Sequence, residues 1–160
     1  MRKATVSRSV LAVLAVAVVL AALPVQAAGP YQYHSLTPCR VADTRSATGP
    51  SGGPILTDQG TRSFPVQGLC SVPVGAKAVS VNVTAVGPSG GGFLTLFPTG
   101  ITRPTVSSVN FNVGEAAIGN GAIVPLADQA VHALDVSVYS RVSAASGTVH
   151  MVLDVTGYFQ

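Results

Sequence analysis

The chain has 160 residues, of which 48% are hydrophobic and only 9% charged, and its formal net charge is +3. That positive excess lies in the opening segment, Met1 to Ala27, with Arg2, Lys3 and Arg8, and the remainder carries equal numbers of basic and acidic side chains. A neutral remainder lacks the basic patch that phosphate contacts need, so nucleic acid is excluded as a partner.

The segment Met1 to Ala27 reads as a secretory signal peptide. Arg2, Lys3 and Arg8 form a basic start, and Val10 to Leu23 is an apolar run. Val25-Gln26-Ala27 offers small residues for cleavage after Ala27, with Ala28 the alternative. The apolar run of about 14 residues is shorter than the roughly 20 that a spanning helix needs, so export rather than membrane anchoring is expected. Residues 28–160 are then one secreted domain, long enough to bury a core and without membrane attachment after cleavage.

Tyr31 to Leu36 reads as a first strand ending at Thr37-Pro38, and Arg40 to Thr44 as a short second one. Residues 46–60 hold Gly49-Pro50-Ser51-Gly52-Gly53-Pro54, a long turn-rich loop that is either functional or mobile. Arg62 to Gln67 resumes a strand, with Pro65 marking an edge or a bulge. Cys39 and Cys70, an even pair in an exported chain, are expected to form a disulfide rather than a metal site.

The stretch Lys77 to Gly100 organises the rest. Val79, Val81 and Val83 alternate with Ser80, Asn82 and Thr84, which places the valines on one face of a strand. The loop Gly87-Pro88-Ser89-Gly90-Gly91-Gly92 breaks it, and Phe93 to Phe97 follows with bulk on both faces, as a strand covered on both sides. The pair reads as a central hairpin. Thr105 to Phe111 is a further alternating strand, Gly114 to Gly121 a loop, and Ala122 to Leu126 a short strand. Val131 to Tyr139 and Thr148 to Val155 close the set, separated by a turn at 143–147. Eight or nine short strands and no convincing helix after the leader predict an all-β, β-sandwich or jelly-roll-like fold.

Candidate functional residues are few. Ser51 and Ser89 each sit in a G-x-S-x-G pattern, which in hydrolases exposes the serine on a strained strand-to-helix turn. Neither is followed by a helical pattern, so turn chemistry, with a loop-borne ligand contact at most, is the expected role. His34, His132 and His150 form no set with a distinctive spacing. HExxH and a phosphate-binding glycine loop are both absent, and no catalytic residue, metal or cofactor is predicted. Tyr31 and Tyr33 share a strand face and offer the one hint of a stacking platform for sugar. Asp43 and Arg45, on either side of Thr44, are expected to form structural ion pairs, and Asp154 is a further partner for Arg45 or Arg40.

Read together, TPCRVADTR (37–45), SVPVGAKAVSVNVTAVGPSGGGFLTLFPTG (71–100), SSVNFNVGE (107–115) and DVTGYF (154–159) resemble an uncharacterised secreted all-β domain of actinobacteria and other bacteria. There it occurs alone, in tandem, or accessory to cell-wall hydrolases or peptidases. The resemblance implies an exported, non-catalytic module at the cell surface and carries no site residues with it. The expected function is therefore a secreted binding or adhesion module whose partner is a cell-wall glycan, wall polymer or surface protein. Its contacts are expected from the 46–60 and 87–92 loops or from a sheet face. A self-assembling structural oligomer, such as a trimer joined through Gly157-Tyr158-Phe159, is the alternative, and a small secreted hydrolase the third.

Overall fold

The computed structural model describes residues 30–160. The predicted leader and its cleavage point at Ala27 lie outside these residues. The described chain is all-β: β1 (Tyr33–Asp43), β2 (Leu56–Thr57), β3 (Thr61–Phe64), β4 (Ala78–Val86), β5 (Gly92–Pro98), β6 (Val109–Phe111), β7 (Ala117–Pro125), β8 (Val136–Val142) and β9 (Thr148–Phe159). They form two antiparallel sheets in a sandwich-like arrangement. One runs β1-β9-β4-β7, with β2 also on β9, and the other β3-β8-β5-β6.

Alternation builds the core. Val79, Val81, Val83 and Ala85 of β4 and Val149, Met151, Leu153 and Val155 of β9 point inward from the first sheet. Phe64, Leu94, Leu96, Val109, Phe111, Val136, Val138 and Val142 meet them from the second. Burying a side chain of this size contributes about 1.5–3 kcal/mol relative to leaving it exposed. The twelve-residue β9 is the spine of its sheet, pairing with β1 and β2 along one side and β4 along the other. Cys39 and Cys70 are joined by a disulfide across a separation of 31 residues. A closed loop of that size contributes about 3–4 kcal/mol by restricting the unfolded chain.

Several predicted elements take a different form. The expected central hairpin is an arch: β4 and β5 belong to opposite sheets, and the glycine-rich link between them crosses from one to the other. Each strand has an apolar face, and facing each other across a core buries both. The break foreseen at Thr37-Pro38 is an irregularity inside a single β1, whose register against β9 shifts between Ser35 and Cys39. Pro38, which has no amide hydrogen, is tolerated there because β1 is an edge strand.

Residues 114–121, expected as loop, mostly join β7, which pairs in unbroken register with β4 from Ala117 to Pro125. Nine ladder positions outweigh the poor strand propensity of Gly119-Asn120-Gly121. The strand expected at 131–139 starts only at Val136, because Asp128 accepts the Ala130 amide at 2.9 Å and holds a turn before it. The last strand continues past Val155 to Phe159.

The 46–60 segment is folded rather than loose. Leu56 is buried within it, and the Arg62 guanidinium caps its backbone. Arg62 donates to the carbonyls of Pro54 (2.7 Å), Gly49 (2.9 Å), Gly52 (2.6 Å) and Gly53 (2.9 Å).

Candidate functional site

The sequence-predicted candidates do not converge. Ser89 stands beside the start of β9, where its hydroxyl accepts the Thr148 amide at 2.8 Å and its own amide donates to Thr148 O at 3.0 Å. Ser51 lies at the same end of the molecule, its carbonyl accepting the Asp43 amide at 2.8 Å. Tyr33 lies at the other end of β9, paired with Phe159. At a rise of about 3.3 Å per residue the two ends of β9 are about 35 Å apart. The three histidines have other neighbours. His34 stacks on Tyr158 with ring centroids 4.8 Å apart, His150 Nδ1 is 3.2 Å from Thr44 Oγ1, and His132 lies over Gly100.

The two tyrosines do not lie in one strand, since β1 begins at Tyr33. Tyr31 precedes β1, and Tyr33 lies across Gly157 with its hydroxyl 3.3 Å from Thr156 O and its ring 5.1 Å from that of Phe159. A Cβ at position 157 would collide with the Tyr33 ring, which explains the glycine. Gly157-Tyr158-Phe159, expected as an interface, thus packs against β1 of its own chain.

The charged residues form a surface chain. Arg40 grips Asp154 through Nε (2.8 Å) and Nη2 (3.2 Å), and its Nη1 lies 3.4 Å from Asp43. Arg45 clasps Asp43 through Nε (2.8 Å) and Nη2 (2.7 Å). Asp43 and Arg45 meet through a turn, since β1 ends at Asp43 and the Arg45 amide also donates to its carboxylate at 3.1 Å. Hydrogen bonding from Arg45 is the largest influence holding the Asp43 carboxyl at about 2, below its ordinary 3.8. Thr44 between them is 2% exposed, and its hydroxyl accepts the Met151 amide at 2.8 Å. The Asp-Thr-Arg segment therefore locks the end of β1 onto β9.

The outer face of the second sheet holds an arrangement that sequence reading missed. Directly paired antiparallel residues share a face. Asn110 on β6 pairs with Phe93 on β5, and Phe93 with Arg141 on β8, so these three form one outward row. Tyr139 pairs with Thr95 in the next row and lies 6.2 Å from Phe93 between ring centroids. The connection from β5 to β6 is strapped along this face. Thr95 donates to Val106 O at 2.6 Å, Ser108 Oγ accepts the Leu96 amide at 2.9 Å, and the Ser108 amide donates to Leu94 O at 2.7 Å. The strap covers Thr95 completely and stands as a wall beside Phe93.

Between strap and sheet lies a groove of about 390 Å³ lined by Phe93, Arg103, Thr105, Val106, Ser107 and Asn110. That is within the size range of small-ligand sites. The Arg103 guanidinium sits 4.1 Å from the centroid of the Tyr139 ring. The groove offers an aromatic surface for stacking, hydroxyl and amide groups for hydrogen bonds, and a planar cation. The bulk on both faces of Phe93–Phe97 was the signal for it. Arg103, in the connection that follows β5, gave none.

A comparison with protein-family models returns no match to this chain, and a comparison with curated proteins returns none either.

Proposed function

We propose that this protein is a secreted, non-catalytic binding module that holds a glycan of the cell envelope in the groove beneath the β5–β6 strap. The observation that carries this reading is the aromatic surface of Phe93 set beside Asn110, Ser107, Thr105 and Arg103 in one groove. Sugar rings stack their apolar face on an aromatic ring and meet amide and hydroxyl groups at their rim. The disulfide is compatible with an oxidising compartment, and the leader-like segment from Met1 to Ala27 supports export. A binding rather than hydrolytic role is supported by Ser89, whose hydroxyl is held by a backbone amide, and by the engagement of each histidine elsewhere.

The test is retention on purified bacterial cell wall together with a glycan array, comparing the secreted chain with its F93A and N110A variants. Binding by the parent and its loss of about tenfold or more in both variants, with unchanged circular dichroism, is the expected result. Silence of the parent on both surfaces overturns the proposal.

Self-assembly is a second reading, favoured by β7. This nine-residue edge strand carries no charged side chain, and its Gly119-Asn120-Gly121 centre is exposed. Such edges pair with other chains unless blunted. Light scattering across a concentration series that finds only monomer removes it.

A further inference from the structure

We infer that the ligand of this groove is acidic: a glycan bearing a carboxylate or phosphate group, which Arg103 receives. The inference rests on the glycan-binding reading and adds the ligand's charge.

The charges around the groove carry it. Arg103 is exposed and stacked on Tyr139, and among the described residues its guanidinium makes no hydrogen bond and no ion pair. Every other arginine of the described chain is occupied. Arg40, Arg45 and Arg141 hold carboxylates, Arg62 holds backbone carbonyls, and only Arg103 presents its donors freely.

The acidic side chains of the flanking elements are already engaged. Asp58 accepts Arg141 Nη1 at 2.6 Å and the Val142 amide at 2.7 Å, and Glu115 accepts the Asn112 amide at 2.9 Å. The groove lining itself contains a cation and no carboxylate. An aromatic ring under a guanidinium fixes its plane and leaves its edge to grip two oxygens at once. Carboxylates and phosphates both present that pair of oxygens, and Phe93 and Asn110 lie beside it for the attached sugar ring.

Calorimetry with two matched pairs of probes tests this. One pair is a galacturonate oligomer and its methyl-esterified, uncharged form; the other is a phosphomannan fragment and its dephosphorylated form. The parent protein is expected to bind the acidic member of at least one pair about tenfold or more tighter, the responding pair telling carboxylate from phosphate. That preference is expected to shrink when salt rises from about 50 to about 300 mM. R103Q, at an exposed position, is expected to abolish the preference while leaving the unfolding midpoint unchanged. Equal binding of acidic and neutral members, or a preference that survives R103Q, overturns the inference. Silence of all four probes while neutral wall glycans bind in a Phe93-dependent way overturns it and leaves the glycan reading standing. Silence on every glycan removes both.

Discussion

Asp135 is fully buried and, among the described residues, makes no ion pair. Its carboxylate instead accepts the amides of Val66 (2.6 Å) and Gln67 (2.9 Å) and the Gln67 side chain (2.6 Å). Gln67 passes the connection on, accepting the Gly75 amide at 2.6 Å and donating to Ala127 O at 3.2 Å. One carboxylate thereby organises the exit from β3, the approach to β4 and the corner before β8. A buried carboxylate is tolerated when donors surround it, and each donor stripped of its partner costs about 1–3 kcal/mol. D135A is therefore expected to lower stability by about 3 kcal/mol or more, and D135N by less, because its amide oxygen still accepts one of the bonds. Urea unfolding of the two variants checks this ranking. Equal midpoints for D135A and the parent would show that the bonds carry no net stability.

At the scale of elements, what the sequence makes legible is whatever alternates. The valines of β4 and the row from Val149 to Val155 predict their strands and inward faces correctly, because burial on one face writes a period of two into the chain. The arch between β4 and β5 leaves no such trace, since a strand's period does not say which sheet it joins. The end of β7 is readable as the short strand from Ala122, but its first part is not: glycine and asparagine fill residues 119–121, and only the long ladder with β4 makes them strand. Among the site candidates, the Asp43–Arg45 contact is readable from spacing, whereas Arg103 reaches Tyr139 only through the path of the strap. The 46–54 corner shows a like dependence on a remote side chain, for its carbonyls turn inward onto Arg62. Lysine has the charge but not the fork that serves several carbonyls at once. R62K is expected to raise amide hydrogen exchange in residues 46–54 by about tenfold or more, with β4 and β9 protected as before. Exchange that rises equally across all strands would mean that Arg62 supports the whole fold rather than this corner.

For the molecule as a whole, the balance of charge in residues 28–160 leaves little long-range field, so acid acts on it through local pairs. Two of these tie edges to spines. Asp43 joins the end of β1 to Arg40 and Arg45, and Arg40 reaches Asp154 on β9. Asp58, in the turn between β2 and β3, is held chiefly by the Val142 amide and then by Arg141, both at the end of β8. Both carboxyls lie at about 2 in the folded protein against an ordinary 3.8. Well above 3.8 they are ionised whether the chain is folded or not, and their full stabilisation is present. As pH falls from there towards about 2, the unfolded chain takes up protons that the folded one refuses, and stability is lost. The urea midpoint is thus expected to stay nearly level from neutrality to about pH 4.5 and then to fall down to about pH 2. D58N removes one of the two linkages, so its midpoint is expected to start lower at neutrality and to fall less through the acid range. A D58N curve parallel to that of the parent would mean that Asp58 has the same proton affinity in both states, and that its contacts with Val142 and Arg141 are not maintained in solution.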